Sequence, residues 1–248
     1  MSELVLVEDR GAVTLLQMQH GKVNALDVEL LIAVREAVQS VPEGSAIVLK
    51  GNDRAFSAGL DLRALLDAPP AYSAALLAEL TAACLAVFDH PRPVVAAVDG
   101  AAIAGGAMLA LATDTRIMSH GVIGLLELRV GVPIPGVLME LARRVLGRHL
   151  PQHLLQGAAL DPAQALAVGM VDELVEPEQL RDRALAVAGD LAGMPVQSFA
   201  LVKQALQADT RARMRAVPAD DASLVAGAWQ SDEVRAAIAR QVERMSKR

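Results

Sequence analysis

Residues 94–114, VVAAVDGAAIAGGAMLALATD, constrain this chain more than any other stretch. Val94 to Val98 is a short apolar run rich in β-branched residues, bounded by Asp99-Gly100, and it predicts a strand buried on both faces. From Gly106 to Ala112 every position is small or apolar, which predicts a short helix buried all round. The join, Ala101 to Gly106, is almost without bulk, so the backbone there can approach another group closely. It also delivers the first free N–H groups of the helix, at the positive end of its dipole. Two glycines that merely let a helix pack closely would give the same pattern. If the N–H groups face a water-poor pocket instead, they suit a reaction that develops negative charge on oxygen.

A second stretch is similar in kind. AFSAGLDL, Ala55 to Leu62, places Ser57, Ala58 and Gly59 between a short apolar segment and a helix-like run from Leu62 to Leu66. Two backbone-exposing turns, each after a buried strand, can converge on one oxygen.

The remaining chain reads as strands alternating with helices, hence a largely parallel α/β core. Leu4 to Val7 and Ala12 to Met18 flank a hairpin turn, and Asp27 caps a helix bearing Leu30, Leu31, Val34 and Val38. Ala46 to Leu49 is a strand, Tyr72 to Phe88 a long helix, Thr115 to Met118 and Val122 to Leu126 extended segments, and Gly136 to Leu146 a helix. Asp161 caps a short helix through Val168, and MVDELV reads as a strand. Helices then follow at Glu178 to Leu191, Val196 to Ala208, Ala219 to Trp229 and Asp232 to Met245. The shift near Pro195 divides a core, residues 1–195, from a helical region, residues 196–248.

With 53% hydrophobic but only 2% aromatic residues, the core is built from Ala, Leu and Val. The net charge of −6 and the lack of any Lys/Arg run argue against nucleic acid as partner. Asp99 and the glycines interrupt the run from Val94 to Ala112 as a membrane span, and acidic residues stand where a signal peptide has basic ones. The expectation is a cytoplasmic protein with no membrane partner. The lone Cys84 reads as a buried small hydrophobe. No carboxylate or cysteine completes a metal set with His149 and His153, so no metal is expected. Nucleophile-elbow and phosphate-loop motifs are missing. Among carboxylates, Glu127 stands out because it interrupts the apolar VIGLLELRVGV. It is either a desolvated general base or a surface residue paired with Arg129 along a strand.

KVNALD, AFSAGLDL, PRPVVAAVDGAAIAGGAMLALATDTRI, ELRVGVP and AQALAVGMVDELV, in this order and spacing, resemble the crotonase (enoyl-CoA hydratase/isomerase) superfamily from about Lys22 to Met245. The resemblance implies a spiral of ββα turns with a C-terminal helical region that packs homotrimers or dimers of trimers. It implies an acyl-CoA thioester substrate, the CoA being carried by the substrate with no separate cofactor. By position, Ala58 and Gly105 match the two oxyanion-hole residues, and Glu127 a catalytic glutamate. Lys22, Val23, Ala25, Asp61 and Leu62 match segments lining the CoA path. The basic residues late in the last helix, Arg240, Arg244, Lys247 and Arg248, serve either the helix dipole or a neighbour's CoA phosphates.

One departure matters for function. Hydratases of the family carry a second glutamate where this chain has Met108, which can neither accept a proton nor hold a water. A single glutamate resembles the Δ3,Δ2-enoyl-CoA isomerase pattern. The rivals are a hydratase with a substituted acid (Asp61, Asp114 and Glu140 are nearby in sequence) and a non-catalytic acyl-CoA binding protein. Leu65 to Leu80 is expected to supply the pocket wall.

Overall fold

The computed structural model describes residues 4–247. The chain opens with an antiparallel hairpin, β1 (Val5–Asp9) and β2 (Val13–Met18), followed by helix α1 (Val28–Ser40). Asp27 caps α1 by accepting the Leu30 N–H, and the helix stops at Val41, whose α conformation the following Pro42 disfavours. Then come β3 (Ala46–Lys50), β4 (Ala55–Ser57), α2 (Leu62–Asp67), α3 (Pro70–Asp89), β5 (Val94–Val98), β6 (Ala101–Ile103) and α4 (Gly105–Leu111). β7 (Thr115–Met118) and β8 (Val122–Gly124) lead to a 3-10 turn at Glu127–Val130, α5 (Gly136–Leu146), α6 (Leu150–Gln156), β9 (Ala159–Leu160), α7 (Pro162–Ala167) and β10 (Glu173–Leu174). Four helices follow: α8 (Leu180–Ala192), α9 (Val196–Ala216), α10 (Asp221–Trp229) and α11 (Asp232–Ser246).

Two sheets result. The first has the order β1-β2-β3-β5-β7-β10 and is parallel beyond the hairpin; the second has the order β4-β6-β8-β9. β3, β5 and β7 each pass directly into β4, β6 and β8, so successive turns of the chain give one strand to each sheet. The apolar runs of β3 and β5 follow from this. Ile47, Leu49, Val94 and Ala96 face the main core, while Ala46, Val48, Val95 and Ala97 pack under Leu180, Ala184 and Ala188 of α8. With both faces covered, these strands are apolar up to Lys50, the last residue of β3, whose ammonium donates to the Gly51 carbonyl.

The structure corrects several sequence expectations. Extended chain after β8 ends at Gly124, and Glu127 lies in the 3-10 turn rather than on a strand. β10 keeps two residues of MVDELV. Residues 101–103, expected to be a plain join, form β6, and α4 begins at Gly105. α6, unanticipated, carries Pro151 in its first turn, where the missing N–H costs nothing. α9 continues eight residues past Ala208, through arginine-rich sequence of good helix propensity, until Val217-Pro218 stops it. Among the described residues one single helix, Ala71–Asp89 within α3, is long and apolar enough to cross a membrane; its Leu76, Leu80, Cys84 and Phe88 are buried in the main core.

A close approach lies where the start of α4 meets the end of β4. A Cβ added at Gly106 would stand 2.6 Å from the Ser57 carbonyl oxygen and 2.7 Å from its Cβ. Gly189 in α8 has nothing within 4 Å of an added Cβ. Gly106→Ala is expected to lower stability by about 1–3 kcal/mol through overpacking. Gly189→Ala is expected to raise it by about 0.5–1 kcal/mol through helix propensity. Urea denaturation of the two variants checks both signs.

Candidate active site

The two backbone-exposing turns meet. After β4 the chain passes Gly59, whose φ of +83° suits glycine, and a Cβ there would lie 2.7 Å from the Ile103 carbonyl oxygen. After β6, Ala104 takes φ 51° and ψ −118°, a rare conformation for a residue with a Cβ, and it opens α4 without a side-chain cap. The first intrahelical bond into Ala104 comes from the Met108 N–H at 2.9 Å, which leaves the N–H groups of the first turn, Gly105 included, without helical partners.

The N–H expected to work with Gly105, that of Ala58, is already used. It donates to the Val23 carbonyl at 2.9 Å, and a backbone donor satisfied in the fold cannot hold a substrate oxygen. Two residues on, Leu26 donates to the Gly59 carbonyl and accepts from the Asp61 N–H, which turns the Leu60 N–H away from Leu26. That N–H has no acceptor among the described residues, and Leu60 lines the same pocket as Gly105. The free pair is therefore Leu60 and Gly105. The signal was present in sequence, as the residue after Gly59, but only the ladder to Leu26 shows which amide is left over.

Glu127 forms the third element. It is 7% exposed, and its Oε2 is buried with no hydrogen-bond partner. Burial pushes the carboxyl up to about 7, the desolvation of the charged form outweighing a hydrogen bond from its own backbone. Arg129, the partner that a strand would have given it, lines the same cavity but donates to the carbonyls of Gln156 and Gly157.

These groups line a cavity of about 270 Å³, with Met108, Leu62, Leu77, Leu80 and Leu138 among its apolar walls. Of the expected wall, Leu77 and Leu80 take part, whereas Leu65 is buried in the core and outside the lining. Sequence reasoning missed Val132 to Pro135 and three residues of the C-terminal helices, Trp229, Gln241 and Met245. Trp229 Nε1 donates to the Pro133 carbonyl at 3.0 Å, while α11 packs on α2 and on the 3-10 turn. The last helix thus covers its own chain's pocket.

Lys22, Val23, Ala25 and Asp61 are not in the cavity wall. Lys22 and Val23 are exposed on a segment stitched to the β4 turn by Asn24, whose side-chain amide donates to the carbonyls of Ala55 and Phe56. Asp61 accepts from the N–H groups of Arg63 and Ala64 and caps α2. The other acids considered as a second catalytic group also lie outside the cavity. Asp114 takes the Lys203 ammonium at 2.6 Å, and Glu140 pairs with Arg143 and Arg213. An apolar cavity with two free amide donors and one carboxylate that titrates near neutrality can move a proton next to a carbonyl while holding the oxygen's developing charge.

Comparison with known proteins gives the family. The sequence model of the enoyl-CoA hydratase/isomerase family matches residues 8–248. The chain is 31% identical to human mitochondrial enoyl-CoA delta isomerase 1 over 223 residues, covering 86% of this chain and 74% of that protein. It is 34% identical to a putative enoyl-CoA hydratase of Thermus thermophilus over 194 residues, 75% of this chain and 76% of the other. The crystal structure of human mitochondrial delta3-delta2-enoyl-CoA isomerase superposes with a TM-score of 0.92 at 26% identity, covering 99% of both chains. The chain, with its crotonase fold, belongs to the enoyl-CoA hydratase/isomerase family.

Proposed function

We propose that the protein is a Δ3→Δ2-enoyl-CoA isomerase. The observation that carries this reading is that Glu127 is the single carboxylate among the described residues lining the pocket, with Met108 also in the wall. Glu127 removes a proton from C2 of a 3-enoyl-CoA. The Leu60 and Gly105 N–H groups hold the thioester oxygen as the enolate forms, and Glu127 returns the proton at C4. No water enters the reaction, so one base suffices and an apolar Met108 keeps water out. Each oxyanion donor of this kind supports a rate factor of about 10²–10³.

Oligomerisation is the other part of the reading. α9 is polar towards its own core, with Lys203, Gln207 and Thr210 buried, and apolar outwards, with Leu201, Val202 and Leu206 at 59%, 60% and 77% exposure. A helix turned inside out in this way supports burial against further copies of the chain, and we assign it to a homotrimer.

The test incubates the protein in D2O with a 3-enoyl-CoA, following conjugation by absorbance and deuterium position by NMR. A 2-enoyl product without 3-hydroxyacyl-CoA supports the isomerase; accumulating 3-hydroxyacyl-CoA makes it a hydratase, and no exchange at C2 leaves a binding protein. Glu127→Gln is expected to lower isomerase turnover by about 10²–10⁴-fold. The parent's kcat/KM should rise with pH through an acid limb near 7, because the base works ionised.

The same carboxyl sets a stability signature. Its folded value lies above the unfolded one, so the folded state holds the extra proton and stability falls as pH rises from about 4.5 to about 7. Glu127→Gln should therefore melt higher than the parent at alkaline pH, by on the order of 3 kcal/mol, and converge with it in acid. Sedimentation velocity is expected to show a trimer for the parent and a smaller species for Leu206→Asp.

A further inference from the structure

Arg129 stands two residues from Glu127 on the same 3-10 turn and also lines the pocket, yet its guanidinium bonds the end of α6 rather than the carboxylate. Its Nε donates to the Gln156 carbonyl at 3.0 Å and to the Gly157 carbonyl at 3.2 Å, where α6 ends and its last carbonyls lack helical partners. Its stem fills the place of a side chain at Gly157: a Cβ there would stand 2.7 Å from Arg129 Cγ. Gly157 is itself in the left-handed region at φ 57°, so the α6 terminus offers the arginine both carbonyls and an uncovered backbone. The turn is also tied within itself, the Val132 N–H donating to the Glu127 carbonyl at 3.0 Å.

We propose that Arg129 is a positioning residue for Glu127: by docking on the C-terminal carbonyls of α6, it fixes the 3-10 turn that aims the carboxylate into the pocket and keeps its own cation off that carboxylate. The proposal rests on the reading of Glu127 as the base. Arg129 lines the same cavity, so the test separates a positioning role from a substrate contact by reading kcat against KM.

Charge elsewhere does not substitute for this. The elements packed on the turn are α6, which carries His153, and α11, which carries Asp232, Glu233, Arg235, Arg240, Glu243 and Arg244. Arg235 donates to the Leu66 carbonyl, and His153 is buried with its pKa lowered, desolvation favouring the neutral ring. Burial alone, with no neighbouring charge, holds the Glu127 carboxyl up. A guanidinium released from α6 and swung to Glu127 would stabilise the carboxylate and weaken it as a base.

The test compares the parent, Arg129→Met and Arg129→Lys by two readouts. The first is turnover of a 3-enoyl-CoA, with kcat and KM separated. Arg129→Met is expected to lose about tenfold or more in kcat with KM within about twofold, since small misplacement of a reacting group is costly. Arg129→Lys, which reaches one carbonyl at a time, should recover part of that loss. The second readout needs no activity: the melting-temperature gap between Glu and Gln at position 127, from acid to alkaline pH, in each Arg129 background. With Arg129 gone, the turn loosens, water reaches the carboxylate, and the pH-dependent part of the gap should shrink by about half or more. An unchanged gap and an unchanged kcat in Arg129→Met overturn the proposal, as does a rise in KM alone, which would make Arg129 a substrate contact. If the parent shows no isomerase turnover, the functional reading falls while the melting gap still decides the positioning role.

Discussion

Everything at the pocket depends on one close backbone approach. The turn after β4 and the turn after β6 touch main chain to main chain, Gly106 against Ser57 and Gly59 against the Ile103 carbonyl. Side chains there would push the two turns apart. Because they are absent, the free N–H groups of Leu60 and Gly105 line one cavity, and the unusual Ala104 backbone is held by the surrounding ladder rather than by preference. Donors fixed in this way need no reorganisation when negative charge appears between them.

The carboxylate depends on the same cavity being dry. Glu127 has an unpartnered buried oxygen, an arrangement that a chain selected for stability alone would pair or remove. Its nearest cation on the turn is spent on the end of α6, and the C-terminal helices complete the enclosure through Trp229, Gln241 and Met245. The last two helices are thus part of the site. α9 by contrast lies outside the pocket, its buried Lys203 and Gln207 bonding Asp114 and the Phe88 carbonyl, its Leu201 and Leu206 facing outwards.

Local signals made much of this legible. The both-face burial of β5, the Asp27 and Asp161 caps, the bounds of α5 and the exceptional position of Glu127 could all be read from pattern, because each depends on neighbours within a few residues. The Ala58 assignment failed for a non-local reason. Which amide in AFSAGLDL is free depends on the hydrogen bonds of Val23 and Leu26, over thirty residues away. The alternative for Glu127, pairing with Arg129 along a strand, fell for a similar reason: the chain there winds into a 3-10 turn and Arg129 bonds α6.

By itself the sequence determined the α/β alternation, the two bulk-free turns and the lone acid in an apolar run. These are properties of composition and short-range periodicity, which the backbone's own sterics enforce. Only the tertiary structure decided which N–H groups remain unpaired, which way Arg129 points, and that the last helices cover their own pocket. Hydrogen-bond satisfaction and burial are totals over the whole fold, and no short stretch of chain contains them.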